Sequence, residues 1–455
     1  MRSINLGIAL QELSALLVSP SCGRGSKSAA NEGDETDSRR FGQTGWVLAD
    51  QAMVSGSNFL TGILLARTMG LENFGMFTLA WMTVQFVNSF QAATITTPML
   101  SIGPKQTKEQ SPAYYGAVFI KQLIFSAVTF SLLMGGASAG HYIFPNWHGE
   151  MLALPLATTS VAFQMQDFIR RHFFACGQII QAFFNDFISY VGQLLVFLWM
   201  SQVTEIDSIK AIWVIGITSG LAVLVGLGGV KRMVIDRHAF RGVLIRHWHF
   251  SKWLLLKMHL NQFTTYPLVW ALGFFRGTEA VGILTASKNI VGVLHIIYLS
   301  LDNLVQPRAA HLMAGSGLSA TINFILNVTK LVAIPVILIC LGAAILPGEI
   351  AAMFYGDILG GHEAVLVLFS IAYFLGFLEK PIAYILLALE ETKMMAMADG
   401  AKFIVAITLG FPIVKIYGAM GVMAIIVISN VLGVTILFAG CTKSATRYLA
   451  NSRPA

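Results

Sequence analysis

Long apolar runs separated by short polar interruptions occupy most of the chain after residue 42. A helix needs about 20 apolar residues to cross the hydrocarbon core of a bilayer, and a window of that length predicts twelve spans. The spans cover residues 44–68, 75–98, 114–138, 150–169, 179–200, 209–230, 253–275, 279–304, 320–346, 363–388, 394–415 and 418–441. The pattern therefore predicts an all-α integral membrane protein with about twelve transmembrane helices.

The composition agrees with a location in the membrane. Hydrophobic residues make up 55% of the 455 positions and charged residues only 12%, whereas soluble domains carry about 25% charged residues. Too few polar side chains remain to cover a surface that faces water. The four cysteines are scattered without metal-ligand spacing or an evident pairing pattern, so no metal and no disulfide is predicted.

Lysine and arginine are distributed unevenly around the predicted spans. If the N-terminus is cytoplasmic, the inner segments hold 20 of the 30 basic residues, and the outer loops with the span ends next to them hold four. This bias predicts that both termini lie in the cytoplasm. It explains the net charge of +7 without a nucleic-acid partner. The basic stretch 232–252 becomes a cytoplasmic linker facing anionic lipid headgroups, with docking of a protein partner as the alternative.

A short phrase occurs twice in the sequence. Residues 70–78 read GLENFGMFT and residues 277–285 read GTEAVGILT, so they share Gly, Glu, Gly and Thr at the same offsets. Each copy falls between the first two spans of a six-span half, which predicts two lobes related by a pseudo-two-fold axis along the membrane normal. The predicted division is a disordered tail at 1–41, a lobe at 42–231, the linker at 232–252, a second lobe at 253–445 and a tail at 446–455.

Lysines inside the spans are candidates for the lining of a substrate cavity between the lobes. A lysine at a helix centre costs about 2.5–3.5 kcal/mol, so it must snorkel, pair or face a wet cavity. Lys288, Lys330 and Lys402 lie deepest in their spans. Lys257 is closer to the predicted cytoplasmic end, where snorkelling is the alternative explanation.

Four further polar residues are candidates for contact with a substrate. Asn58 and Asn261 belong to small polar stripes on the first and seventh spans, a pattern that packing between helices explains equally well. Arg170 and Arg171 are adjacent at the cytoplasmic end of the fourth span. Guanidinium forks bind phosphate oxygens of a lipid headgroup, but these arginines could equally anchor the topology.

Three aspartates are candidates for an ion relay: Asp50, Asp186 and Asp399. Pairing with neighbouring lysines is the alternative for Asp186 and Asp399. Asp186 and Asp399 occupy corresponding spans of the two halves, and Asp50 corresponds to Lys257, with which it could form a salt bridge. The sequence contains no phosphate-binding P-loop, no metal motif and no nucleophile elbow. We therefore predict a transporter without catalytic residues or a cofactor.

The first hairpin, SGSNFLTGILLARTMGLENFGMFTLAW, resembles the opening of polysaccharide transporters in the multidrug/oligosaccharidyl-lipid/polysaccharide (MOP) flippase superfamily. The shared positions are Ala66-Arg67, Gly70 and Phe74-Gly75. Over 42–445, the span count, tandem lobes and orientation are also similar. The resemblance implies a Wzx-type flippase of the bacterial inner (plasma) membrane, moving polyprenyl-pyrophosphate-linked oligosaccharide outwards for O-antigen (lipopolysaccharide), capsule or exopolysaccharide synthesis.

The same resemblance implies a cationic cavity, a lipid-linked oligosaccharide and membrane lipids as partners, and a polysaccharide polymerase and chain-length regulator as further candidates. It implies coupling to an H⁺ or Na⁺ gradient or to the membrane potential. One alternative is an ion-coupled exporter of drugs or metabolites from the same superfamily, whose cationic cargo favours acidic cavities. Another is a membrane polysaccharide polymerase or ligase, which tends to have a large outer loop that this chain lacks.

Overall fold

The protein is described by a computed structural model, which covers residues 30–143, 150–230 and 233–451. Residues 1–29 of the predicted tail lie outside this part of the chain. A few side chains within it are also not described, among them those of Lys257 and Asn261. Contacts divide the chain into two units, Met1–Leu48 and Ala49–Ala455. The second unit contains the packed helices and the cavity between them.

The described residues form helices with short connections. In the first half the α-helices are α1 (Ala30–Gln91), α2 (Thr97–Ile102), α3 (Ser111–Ile143), α4 (Glu150–Ala175), α5 (Ile179–Asp186), α6 (Gly192–Val203) and α7 (Ser208–Leu227). In the second half they are α8 (Arg237–Arg276), α9 (Thr278–Val291), α10 (Val293–Ile345), α11 (Pro347–Tyr355), α12 (Glu363–Ala388) and α13 (Thr392–Asn451). Wider π-turns at Ala92–Thr96 and Phe187–Val191, and 3₁₀ turns at Gly103–Lys105 and Gly356–Leu359, connect neighbouring helices.

Three of the longest helices are hairpins broken at a glycine. α1 breaks at Gly70, α10 at Gly317 and α13 at Gly418, and the φ angles there are 72°, 78° and 59°. A positive φ is readily adopted only by a residue without a Cβ, so glycine allows the chain to reverse. The breaks lie at or next to the interruptions predicted from the apolar pattern.

The prediction of an all-α membrane protein is confirmed. Every predicted span coincides with helix over most of its length, and helices expose large apolar side chains such as Trp199, Leu224 and Leu338. Within the described residues, six helices are long and apolar enough to cross a membrane. Polar and charged side chains lower the mean hydropathy of other helices, such as α4, which contains Asp167 and Arg170. The number of twelve crossings therefore stays a prediction.

The two copies of the repeated phrase pack against each other. A Cβ on Gly75 would overlap the carbonyl oxygen of Thr278, and a Cβ on Gly282 would overlap the carbonyl oxygen of Leu71. Gly75 corresponds to Gly282 in the repeat, and Leu71 corresponds to Thr278. The contact is thus reciprocal, as in an interface with two-fold symmetry, and glycine is needed because backbone meets backbone.

Arg67 makes a further contact between the two halves near this point. Its Nη2 donates a hydrogen bond of 2.8 Å to the carbonyl of Met353, and its Nε donates to the carbonyl of Phe354. Both carbonyls are in the last turn of α11, where the helix leaves them without intrahelical partners. These two hydrogen bonds therefore join the first arm of α1, the part before Gly70, to the end of α11.

Most of the predicted linker is helical. Residues 233–236 run along α3, where the Val234 N–H donates a 3.0 Å hydrogen bond to the carbonyl of Pro112. Gly116 leaves room for this approach, since a Cβ there would overlap Val234. α8 begins at Arg237 and continues without interruption into the seventh predicted span.

Candidate functional site

A cavity of about 810 Å³ lies between helices from both halves of the sequence. Both arms of α1 line it, as do α4, α6 and α7, the π-turn before α6, and helices α8, α9, α10, α12 and α13. Ligand pockets are typically about 300–1,000 Å³. The cavity therefore has room for a ligand larger than a single sugar.

The wall of the cavity is aromatic and polar, with positive but no negative side chains among the described residues. The ionisable groups on the described part of the wall, apart from tyrosine, are Lys288 and His295. Amides, hydroxyls and aromatic rings supply the rest: Asn58, Gln85, Gln193, Asn289, Asn430, Thr61, Thr78, Thr265, Thr285, Tyr190, Tyr266, Tyr298, Tyr373, Phe74, Phe77, Trp81, Phe163 and Phe369. Such a wall can hold an anion with hydrogen-bonding groups and apolar faces.

Among the lysines whose side chains the structure describes, Lys288 is the one that faces this cavity. It lies in the last turn of α9, where the negative end of the helix dipole favours a cation. Its side chain is exposed to the cavity, and no described residue forms an ion pair or hydrogen bond with it. The ammonium group is therefore available to a ligand.

Asn58 also lines the cavity, on the first arm of α1. One turn further on, Gly62 lets α1 approach α9, because a Cβ there would lie 2.6 Å from Nδ2 of Asn289. Two of the residues predicted from sequence, Asn58 and Lys288, are thus brought to one cavity. The side chains of Lys257 and Asn261, on α8, lie outside the described residues.

Arg170 lies between two buried aspartates. Its Nη2 donates to Oδ2 of Asp50 at 3.1 Å, and its Nε pairs with Oδ2 of Asp186. Both carboxylates have no exposed surface, and Gln166 donates a 2.8 Å hydrogen bond to Oδ1 of Asp186. Buried charges require such partners. The contact of Asp50 with Arg170 was not anticipated from the sequence, which suggested Lys257.

Arg171 is also paired within the protein. Its Nε donates to both carboxylate oxygens of Asp167, one turn earlier in α4, at 2.9 and 2.8 Å. Neither arginine lines the central cavity. Contact of Arg170 or Arg171 with a lipid headgroup stays a prediction, which would require exchange of these protein partners.

A side chamber of about 120 Å³ adjoins the cavity and shares Thr265, Ile426 and Asn430 with it. Asp399 and Lys402 line this chamber. Nζ of Lys402 lies 2.5 Å from Oε1 of Glu379. The positive charge of Lys402 is therefore engaged by a carboxylate rather than presented to the central cavity.

Lys330 is exposed on α10 and lines neither space. Lys330 was predicted to line the cavity because of its depth within the membrane, but depth does not determine which face of a helix a residue occupies.

Lys380, in contrast, pairs with Asp302 at 2.7 Å, and the Tyr384 hydroxyl donates to the same carboxylate at 2.7 Å. A spacing of seven residues from Lys288, two helical turns, could have identified His295, which sequence reasoning missed.

α1 and α8 meet along the side of the cavity. The Ser89 hydroxyl donates to Oε1 of Gln262 at 2.9 Å and lies 3.2 Å from Nε2 of His259. The ring of Phe86 contacts those of His259 and Trp270 edge to face. These polar and aromatic contacts connect the two halves of the sequence at a second place, in addition to the contact between the repeated hairpins.

No family model matches the sequence, and no curated protein matches it. Solved structures do match the fold. An inward-facing multidrug resistance MATE family transporter of the MOP superfamily has 13% identity and a TM-score of 0.71, with 89% of this chain and 96% of that chain covered.

Two further solved structures are similar. The lipid II flippase MurJ in an inward closed conformation has 14% identity and a TM-score of 0.63, covering 88% of this chain and 87% of its own. A MOP superfamily transporter from Pyrococcus furiosus, described as having a binding pocket of reverse polarity, has 15% identity and a TM-score of 0.52, with 90% and 93% covered. At these identities the likeness concerns the fold alone, which is similar to that of these three transporters.

Proposed function

We propose that this chain, with its MOP-transporter fold, is a flippase for polyprenyl-pyrophosphate-linked oligosaccharide. It moves this lipid from the cytoplasmic to the outer leaflet of a bacterial inner membrane, for O-antigen, capsule or exopolysaccharide synthesis. The observation that carries the proposal is the central cavity, whose described wall presents Lys288 and no carboxylate.

The wall of the cavity suits the chemistry of this cargo. The pyrophosphate carries negative charge, for which Lys288 is a free partner. Amides and hydroxyls such as Asn58 and Thr265 can exchange hydrogen bonds with sugar hydroxyls, and rings such as Trp81 can cover the apolar faces of sugars. A headgroup held in this way would occupy the cavity while the prenyl chain stays in the bilayer.

Transport would occur by alternating access of the lobes at 42–231 and 253–445. With both termini in the cytoplasm, the repeated hairpins lie at the outer side. The backbone contact between the hairpins and the hydrogen bonds of Arg67 to α11 would then close the outer end of the cavity. The cavity would therefore receive cargo from the cytoplasmic side. Release would require the contact between Gly75 and Thr278 to open.

Energy would come from an ion gradient or the membrane potential. The group formed by Asp50, Arg170 and Asp186 contains two buried carboxylates and one guanidinium. Addition of one proton or cation would neutralise it. Asp399, in the side chamber, is the second candidate. A polysaccharide polymerase and a chain-length regulator are the proposed protein partners.

Export of cationic drugs is the second candidate function. Asp399 favours it, because its chamber adjoins the central cavity. The described wall of the cavity itself offers a cation aromatic rings but no negative charge, whereas it offers an anion an unpaired ammonium. The flippase is therefore the better supported proposal.

The test is a strain that lacks the gene. Lipid-linked oligosaccharide in the membrane and polysaccharide at the surface are quantified together, and an impermeant sugar-modifying reagent reports the leaflet. We expect accumulation in the cytoplasmic leaflet, loss of surface polymer and recovery with the wild-type gene. Accumulation in the outer leaflet would instead favour a polymerase or ligase. Unchanged intermediates with new sensitivity to cationic compounds would favour a drug exporter.

A further inference from the structure

We propose that His295 is a second anion-binding group of the central cavity, and that it takes up a proton when the phosphoryl group of the cargo binds. Cargo and proton would then bind together. This inference rests on the proposed function, because it assumes an anionic cargo, and it adds the residue through which pH acts on the cavity.

The position of His295 is set by the break between α9 and α10. α9 ends at Val291, and in the tight turn after it the Gly292 N–H donates to the carbonyl of Asn289 at 3.2 Å and the His295 N–H donates to that of Gly292 at 2.9 Å. His295 lies seven residues after Lys288, on the other side of this turn. Both side chains are exposed and line the same cavity, so one headgroup can reach both.

The imidazole of His295 is not committed to a protein partner. No described residue forms a hydrogen bond or ion pair with it, in contrast to His259, whose Nδ1 lies 2.7 Å from the carbonyl of Leu255. A neutral imidazole offers one donor and one acceptor, and a protonated one offers two donors and a charge. Protonation therefore converts His295 into a better partner for phosphate oxygens.

The charges that face His295 explain why a cargo would promote this protonation. They are Lys288 from α9, Lys380 from α12 and Asp302 from α10. Lys380 and Asp302 form an ion pair, which leaves Lys288 as the unbalanced charge. In the empty cavity a second positive charge is repelled by Lys288. An anion bound between the two groups removes this repulsion.

Binding of the cargo and binding of the proton to His295 are thermodynamically linked, so the pH dependence of cargo affinity can be measured. If protonation strengthens cargo binding by some factor, cargo binding strengthens proton binding by the same factor. Histidine ordinarily titrates near pH 6.5. Affinity for a cargo of constant charge should therefore be highest at acidic pH and fall as pH rises.

The experiment measures binding of a short-chain polyprenyl-pyrophosphate sugar to the purified full-length protein in lipid nanodiscs. Each phosphorus of this probe carries one ester bond, the shared anhydride oxygen and one strongly acidic hydroxyl, so the charge of the probe does not change between about pH 5.5 and about pH 8. We expect the wild type to bind at least about fivefold more tightly at the acidic pH, at the lower end of typical couplings. It should also take up protons from a weakly buffered solution when the probe is added.

Two variants and a control separate the possibilities. His295→Gln should bind with the same affinity at both pH values and take up no proton, and His295→Lys should bind tightly at both. His362→Gln, an exposed position before α12, should behave as the wild type. Retention of the full pH dependence by His295→Gln would overturn this inference but leave the flippase proposal intact. Absence of probe binding to the wild type at either pH would overturn both.

Discussion

Gly75 packs against the carbonyl of Thr278 with no room for a side chain, and its counterpart in the repeat, Gly282, packs in the same way against the carbonyl of Leu71. Main-chain atoms of two hairpins are therefore in direct contact at one end of the cavity. A contact of this kind either forms completely or is lost, because a methyl group at either glycine would force the hairpins apart.

We expect Gly75→Ala to shift the protein towards a conformation in which the hairpins are separated. Spin labels at Glu72→Cys and Glu279→Cys, which are exposed on the two hairpins, would report longer distances in a background without the native cysteines. Gly56→Ala is the matched control, because a Cβ at Gly56 meets no atom within 4 Å. Equal distance distributions in the Gly75→Ala variant and the wild type would show that the contact does not control the separation.

Lys288→Ala should reduce export at least about tenfold while protein abundance stays the same. The reason is that a hydrogen bond to a charged group contributes about 1.5–3 kcal/mol, and about 1.4 kcal/mol corresponds to a factor of ten. Surface polysaccharide and membrane abundance are measured in the deletion strain that carries each variant. Lys330→Ala removes a membrane lysine that does not face the cavity and should leave export unchanged. Equal losses in both variants would argue against a specific role for Lys288.

Arg170→Gln should destabilise the protein by about 3–5 kcal/mol, because it leaves the charges of Asp50 and Asp186 buried without a partner. Thermal unfolding of the purified protein in detergent measures this loss. Arg171→Gln leaves a single carboxylate, that of Asp167, without its cation, and the arginine it replaces is more exposed, with 27% of its side chain accessible. It should therefore destabilise the protein less than Arg170→Gln does. Similar melting temperatures for the two variants would contradict the assignment of Arg170 as the buried counterion.

Restoring neutrality should rescue the Arg170 variant in part. The triple variant Asp50→Asn, Asp186→Asn, Arg170→Gln contains no uncompensated charge at this place, so we expect it to be more stable than Arg170→Gln alone. A further loss of stability in the triple variant would mean that hydrogen bonds, rather than charge, hold this group together.

Lys402 and Glu379 should be coupled energetically. The variants Lys402→Met and Glu379→Gln each leave one charge without its partner, so the double variant should be less destabilised than the sum of the two by about 0.5–3 kcal/mol. Unfolding of the four proteins in the cycle provides the measurement. Simple additivity would mean that the 2.5 Å contact contributes nothing to stability.

The helices and their turns could be predicted from the sequence, since both depend on local features. Apolar runs of sufficient length define the spans, and glycines such as Gly70 and Gly418 lie where the chain reverses. The repeated phrase also indicated that its two copies have equivalent roles. It did not indicate that the copies touch each other, because a one-dimensional repeat contains no information on which surfaces meet.

The candidate site was predicted only in part, for a related reason. Depth within a span selected Lys288, and a polar stripe on one face of the first span selected Asn58; both residues line the cavity. Depth also selected Lys330, which faces away. The phosphate-binding chemistry of adjacent guanidinium groups selected Arg170, which is bound by Asp50 from 120 positions earlier in the chain. Which carboxylate neutralises which cation depends on how the helices pack, and the spacing of residues along one helix does not determine that.

α8 runs without interruption from the predicted linker at 232–252 to the second copy of the repeated phrase, so the two ends of this helix move together. Its 40 residues make a rod of about 60 Å, which starts where Val234 is bound to Pro112 and ends at Arg276, one residue before the second copy of the repeated phrase. On a rod of this length, a tilt of about 5° moves one tip by about 5 Å relative to the other. A molecule that displaces the end of α8 near Val234 would therefore also act on the contact between the hairpins.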